Sequence, residues 1–140
     1  MLRTLSDNQG KDGNFMLIDT DVLIWLARDN ANAKKMLLNN DIKYISIITY
    51  MEVLQGVRNK AELNAFLKQI KTDNYHILPL NEEIGNYAGE LVKNYYLSHN
   101  MQMFDALIAS TAIFYNKPLL SANAKHYAFI DELQLVRFVV

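Results

Sequence analysis

The sequence predicts an α/β/α sandwich on a mainly parallel central sheet, and three observations carry that prediction. Several short apolar runs lack polar alternation, as strands buried on both faces do. Between them lie longer segments whose apolar residues recur at steps of three and four, the period of a helix with one buried face. The two kinds of segment alternate along the chain, in places with two helices between strands, which is the order of an α/β layer fold.

Residues 1–14 are polar, carry Gly10 and Gly13, and show no periodicity, so a flexible leader is expected ahead of a domain over 15–140. Met16 opens the first apolar run and offers an internal translation start, which a mass spectrum of protein from the native host would test. Residues 15–18 predict the first strand, stopped by Asp19-Thr20-Asp21. Val22, Leu23 and Leu26 then predict a short helix capped by Thr20 or Asp21, with Trp25 off the buried face. Ala33, Met36 and Leu37 mark a second helix with Lys34 and Lys35 outward, ended at Asn39-Asn40-Asp41.

The isoleucine-rich run 44–48 predicts the second strand. Thr49-Tyr50-Met51-Glu52 matches a capping box, threonine at the cap and glutamate three residues on, and opens a helix ending near Gly56. Leu63, Phe66, Leu67 and Ile70 give the next helix its buried stripe, with Lys60, Lys68 and Lys71 outside. A third strand is expected over 76–80, where Pro79 ends the hydrogen bonding. Ile84, Tyr87, Ala88, Leu91, Val92 and Tyr95 form the strongest helical period, broken at Ser98-His99-Asn100. Asp105 is expected to cap a further helix with Leu107, Ile108, Ala112 and Tyr115 inward, ended by Asn116-Lys117-Pro118. Leu119 and Leu120 predict a strand running into Ser121-Ala122-Asn123, and 135–140 the last.

At 140 residues the chain suits one domain, which can bury roughly two thirds of its unfolded surface. It has no cysteine and three isolated histidines, His76, His99 and His126, so a bound metal would be a hard, oxygen-liking one. The net charge of −1 argues against nonspecific gripping of nucleic acid, while leaving room for a local basic rim. No apolar stretch approaches the roughly 20 residues of a membrane span, and no signal-peptide pattern opens the chain, so a cytoplasmic location is expected.

Three acids hold equivalent local positions: Asp19 where the first strand stops, Glu52 in the first turn of the helix after the second, and Asp105 at its own helix start. Asn123 adds a polar group just past another strand. In a parallel sheet every strand-to-helix junction lies at one edge, so residues remote in sequence converge there. Each also has a structural explanation, since Glu52 completes a capping box, Asp105 and Asp21 suit helix caps, and Asn123 suits a turn. Together they ask for more. Two carboxylates about 4 Å apart repel by roughly 4 kcal/mol at an effective dielectric near 20, and helix N-termini relieve part of that, up to about 1 kcal/mol each when exposed. A cation such as Mg²⁺ or Mn²⁺ answers that repulsion, and such a site handles phosphate oxygens.

The segments LIDTDVLIW, ITYMEVLQG, FDALIASTA and PLLSANAKHYAFIDELQLV, in this order, resemble the PIN-domain ribonucleases, in particular the VapC-type toxins of bacterial toxin–antitoxin pairs. The resemblance covers nearly everything from Met16 onward. It implies a metal-dependent endoribonuclease with Asp19, Glu52 and Asp105 as acidic metal ligands and Asn123 at the fourth catalytic position, where many members carry aspartate. It further implies water attacking an RNA phosphodiester in line, with Asp21, Thr49 and Ser121 fixing the ligands. A small antitoxin that masks the site is the implied protein partner.

Lys125 and His126, beside Tyr127, stand near the proposed edge and are candidates for RNA contact, although such a trio also suits a solvated loop with a tyrosine anchor. His76 and His99 are expected to be structural. Lys34, Lys35, Arg58, Lys60, Lys68 and Lys71 border a groove or simply solvate helices. Some of the aromatic surface around Tyr87, Tyr95 and Tyr96 would serve a homodimer. Two rival functions remain at this level. Asp19-Thr20-Asp21-Val22 imitates the nucleophile motif of haloacid-dehalogenase-type phosphatases, although Asp131-Glu132 matches that family's C-terminal aspartates poorly. The loss of a charge at Asn123 also admits an acidic module that binds RNA or protein without cutting it.

Overall fold

The computed structural model describes residues 16–140, so the leader over 1–14 and Phe15 lie outside the described residues. The elements are β1 (Leu17–Ile18), α1 (Thr20–Ala27), α2 (Ala31–Leu37), β2 (Lys43–Ser46), α3 (Ile47–Gly56), α4 (Lys60–Thr72), β3 (Tyr75–Leu78), α5 (Glu82–His99), α6 (Met103–Phe114), β4 (Leu119–Ser121) and β5 (Leu135–Arg137). A single 3-10 turn, Ala124–His126, lies between β4 and β5. The strands form one sheet in the order β3-β2-β1-β4-β5, and every pairing is parallel. The expected sandwich is therefore the observed fold.

The register explains why the strands read as unbroken apolar runs. Leu17 pairs with Leu119, which pairs with Leu135, while Ile18 pairs with Leu120, which pairs with Val136. Successive side chains point to opposite faces of a sheet. The first row packs with Ala88 and Leu91 of α5 and Ala106, Ile108 and Ala109 of α6. The second row packs with Val22, Leu23 and Leu26 of α1 and Leu37 of α2. Both faces are dry.

Local capping chemistry moves several expected boundaries. Ser46 caps α3, its hydroxyl accepting from Ile48 N at 2.8 Å, so Ile47 and Ile48 leave the strand for the helix. Thr49 is then the third helical residue, fully buried, and Glu52 sits beyond the first turn; the capping box does not form. Asp19, and neither Thr20 nor Asp21, caps α1. The α6 cap position is Gln102, which makes no side-chain cap bond, and Asp105 is the third residue of that helix. Ser98 and His99 stay helical, with α5 ending at Asn100 in the left-handed region, φ 54°. Trp25 is half-buried against the α1-side core, with the Arg28 guanidinium 5.6 Å from its ring centre.

β2 also starts one residue earlier than expected, at Lys43, which is 1% exposed. Its ammonium donates to the backbone oxygens of Asn39 at 2.8 Å, Asp41 at 3.0 Å and Asp73 at 2.9 Å. Three donors meet three acceptors, which is what lets a charge enter a strand. Burial lowers its pKa from the usual lysine value, and the neighbouring Asp73 and Asp41 oppose that shift. Among the described residues no helix is long and apolar enough to cross a membrane.

Leu119 has no exposed surface and sits on the central row between β1 and β5, whereas Leu97 on α5 is 96% exposed. Leu119→Ala is expected to cost about 2–5 kcal/mol of unfolding free energy, and Leu97→Ala less than about 0.5 kcal/mol, in urea denaturation. Equal losses would contradict this assignment of the core.

Candidate active site

The strand order places β1 between β2 and β4, with the connections running outward in both directions from the centre of the sheet. Where such a sheet reverses its winding, a crevice opens at the carboxyl ends of the central strands. Asp19 closes β1 there and Ser121 closes β4.

Asp19 is 5% exposed. Its Oδ1 accepts from Thr20 N at 2.8 Å, the cap bond of α1, and its Oδ2 accepts from Ser121 Oγ, also at 2.8 Å, across the β1–β4 junction. Ser121 Oγ in turn accepts from Asn123 N at 3.0 Å. Asp21 Oδ2 accepts from Ala122 N at 3.1 Å, so α1 and the segment after β4 are tied twice. Asp21 Oδ1 is buried and has no hydrogen-bond partner among the described residues.

These carboxylates are held against their preference. Burial above all, then the charge of Asp21 and, less, that of Asp105, push the Asp19 carboxyl from 3.8 up to about 7. Asp21 is also raised by burial, against the backbone N–H groups of Ala122 and Val22 that lower it. The N-terminus of α1 favours negative charge at Asp19. Desolvation outweighs it.

Asp105, projecting from the first turn of α6, is gripped from the 3-10 turn. Tyr127 Oη donates to its Oδ1 at 3.2 Å, and His126 Nδ1 lies 3.3 Å from its Oδ2. Tyr127 is 1% exposed, and burial followed by the charges of Asp19 and Asp105 drives its phenol well above the usual range. It therefore remains a donor. Glu52 is fixed from the other side. Thr20 Oγ1 is 2.6 Å from Glu52 Oε1 and 2.9 Å from Thr49 Oγ1. The Thr20 hydroxyl has one proton and the carboxylate has none, so Thr20 donates to Glu52 and accepts from Thr49.

The structure thus brings Asp19, Asp21, Ser121 and Asp105 into one electrostatic group. Glu52 and Thr49 join through Thr20, whose backbone also holds Asp19. Asn123 is exposed and enters through its backbone N–H. Lys125 and His126 are exposed and, with Asp105, line a cavity of about 340 Å³. His99 stacks on Phe129 with centroids 4.2 Å apart, and His76 lies against Tyr44, so both sit in aromatic packing. Sequence reasoning missed the site roles of Thr20 and Tyr127. The signal for Tyr127 was an aromatic in a polar turn, whose buried hydroxyl must find a partner. Thr20 carried no comparable mark.

Among the described residues no three His, Cys, Asp or Glu side chains close a metal cage by themselves. The donors nevertheless suit a hard divalent cation held by one or two carboxylates and several waters. The partnerless, buried Asp21 Oδ1 and the raised Asp19 pKa are both relieved by positive charge placed there.

A group that binds its proton more tightly folded than unfolded loses that contribution to stability as pH rises from its unfolded pKa to its folded one. For Asp19 the window runs from 3.8 to about 7. In EDTA, wild type is expected to lose up to about 3 kcal/mol more than Asp19→Asn between pH 5 and pH 8. Urea denaturation at the two pH values measures this, and parallel losses would refute it.

The PIN domain family model matches residues 16–131. Ribonuclease VapC of Rickettsia bellii is 30% identical over 128 residues, covering 86% of this chain and 94% of that protein. Ribonuclease VapC10 of Mycobacterium tuberculosis is 28% identical over 123 residues, covering 85% and 90%. Among solved structures, VapBC-1 of nontypeable Haemophilus influenzae superposes with a TM-score of 0.70 at 26% identity, covering 87% of this chain and 96% of that one. A toxin–antitoxin complex from Klebsiella pneumoniae gives 0.69 at 26%, covering 84% and 94%. Since the matched span covers most of the chain and takes in Asp19, Asp21, Glu52 and Asp105, the chain belongs to the PIN domain family.

Proposed function

We propose that the protein is a metal-dependent endoribonuclease of the VapC type, the toxin of a toxin–antitoxin pair, acting in the cytoplasm on RNA phosphodiesters. The observation that carries the reading is Asp19, a buried carboxylate pushed to about 7 beside two further aspartates, in a chain with VapC ribonucleases as relatives over most of its length. Asp19 and Asp105 would hold the ion, with Asp21 adding charge. Mg²⁺ or Mn²⁺, when bound, supplies positive charge to the phosphodiester oxygens and to the attacking water.

The chain's own groups do the rest. Ser121 and the first amide of α1 fix both oxygens of Asp19, while Tyr127 fixes Asp105. Outer hydrogen bonds of this kind orient ligands and set their basicity. Glu52, with one oxygen held by Thr20, is positioned either to share the ion or to orient the attacking water through the other oxygen. Asn123 supplies a neutral amide at the rim, suited to a water or a phosphate oxygen. A phosphoenzyme on Asp19 is disfavoured, because both of its oxygens are engaged inside a buried junction.

An antitoxin partner is supported by the likeness to a solved toxin–antitoxin complex from Klebsiella pneumoniae. A homodimer is supported by Tyr96, Leu97, Met103 and Phe104, large apolar residues left exposed where α5 meets α6.

Mapping cleavage in total RNA with Mg²⁺ or Mn²⁺ tests the function. EDTA, Asp19→Ala or Asp105→Ala is expected to lower the rate by about a thousandfold or more, equivalent to about 4 kcal/mol of transition-state stabilisation. Full activity after any of these treatments overturns the assignment. Thr20→Val is expected to reduce kcat by about 10- to 100-fold through misplacement of Glu52, with the melting temperature little changed. An unaltered kcat would remove Thr20 from the catalytic arrangement.

A further inference from the structure

The cavity of about 340 Å³ that Asp105 lines is also lined by the turn between α5 and α6, Asn100 to Gln102. Asn100 adopts φ 54° and ψ 40°, and this left-handed residue folds the chain back so that Gln102 Nε2 donates to Asn100 O at 3.1 Å and to Asn100 Oδ1 at 2.9 Å. The backbone oxygen can only accept. It therefore fixes which end of the Gln102 amide is nitrogen, and that nitrogen fixes which end of the Asn100 amide is oxygen. Gln102 Oε1 is left as an acceptor and Asn100 Nδ2 as a donor, in two exposed side chains at the wall of the cavity.

Lys125 and His126 line the same cavity, the latter 3.3 Å from Asp105 Oδ2. Met101, 2% exposed, adds an apolar surface. A cavity lined by a hydrogen-bonding amide pair, an apolar surface and a lysine has the makeup of a nucleotide site. Its volume lies at the small end of ligand sites, room for about one nucleotide. Each RNA base presents a donor next to an acceptor on its pairing edge, and that edge is open only when the base is unpaired.

We propose that this cavity binds one unpaired nucleotide adjoining the scissile phosphate, with Asn100 Nδ2 and Gln102 Oε1 reading its pairing edge, so that the two residues determine cleavage specificity. The proposal rests on the reading of the Asp19–Asp105 edge as an RNA-cutting site. Lys125 contacts the phosphate on the far side of that nucleotide. The fixed order of donor and acceptor selects among bases, and the demand for an open edge confines cutting to loops and single strands.

The test uses Asn100→Gly/Gln102→Met, because glycine keeps the left-handed turn and methionine keeps the length of the side chain while both amides are lost. Hairpin RNAs with randomised loops are cut by wild type and by this variant, and the ends are sequenced. Wild type is expected to prefer particular bases at one position beside the cut. The variant is expected to keep cutting, with unchanged dependence on Mn²⁺ concentration and with that preference flattened by about tenfold. A preference identical to wild type overturns the proposal and leaves the ribonuclease reading standing. Titration of full-length Asp19→Ala protein with AMP, CMP, GMP and UMP, followed by amide NMR, reads the cavity without any cleavage. Base-dependent shifts at Asn100–Gln102 that vanish when the Asn100→Gly and Gln102→Met substitutions are added support it, and equal or absent shifts overturn it. Wild type that cuts no RNA, while the Asp19→Ala protein gives the base-dependent shifts, would count against the ribonuclease reading alone.

Discussion

The hydrogen bond from Ser121 Oγ to Asp19 Oδ2 is the interaction on which the rest of the site depends. It joins residues 102 positions apart in sequence, and it exists because β1 and β4 are neighbours in the sheet although six helices and two strands separate them along the chain. The central strands must pair before this edge can exist. The same pairing aligns Leu17 with Leu119 and Ile18 with Leu120, so the core residues that hold the sheet also set the spacing of the polar groups at its end. Packing and chemistry share one register.

That edge stores an electrostatic cost. A folded domain is stable by only about 5–15 kcal/mol, and a buried aspartate beside two others uses a sizeable fraction of that margin once it is charged. The compensation is incomplete on the protein's side: Asp19 has two good donors, Asp21 has one oxygen satisfied and one orphaned, and Asp105 leans on a phenol and an imidazole. A cavity designed for stability alone would have placed neutral groups there. The residual negative field is the property that a divalent ion and a phosphodiester require.

The two supports of the site differ in kind. On the α3 side, Thr49, Thr20 and Glu52 form a chain of hydroxyls ending in a carboxylate, so the position of Glu52 depends on the first turn of α1. On the α6 side, Tyr127 and His126 come from the segment after β4, and the turn at Asn100 lines the same cavity as His126. α1 therefore touches both halves, through Asp19 as its cap and Thr20 as its first residue. A shift of that one helix terminus would move the aspartate and the glutamate together.

The sequence by itself determined the layers, the parallel sheet, the alternation of elements and the acids at the strand ends, because burial on both faces leaves unbroken apolar runs and a helix leaves a period. It also carried the family resemblance through four ordered segments. It misplaced the cap of α3, because Thr49 and Glu52 have the right spacing for a capping box while Ser46, three residues earlier, wins by holding Ile48 N. It passed over Lys43, since a lysine in a strand is tolerated when three carbonyl oxygens meet it, and those come from Asn39, Asp41 and Asp73. Which polar atoms face one another was settled only in three dimensions. The bonds of Thr20 to Glu52, Tyr127 to Asp105 and Ser121 to Asp19 run between elements remote along the chain. Periodicity records which face of an element is buried, whereas the partner of a buried hydroxyl is fixed by strand order and helix placement, and neither leaves a local trace.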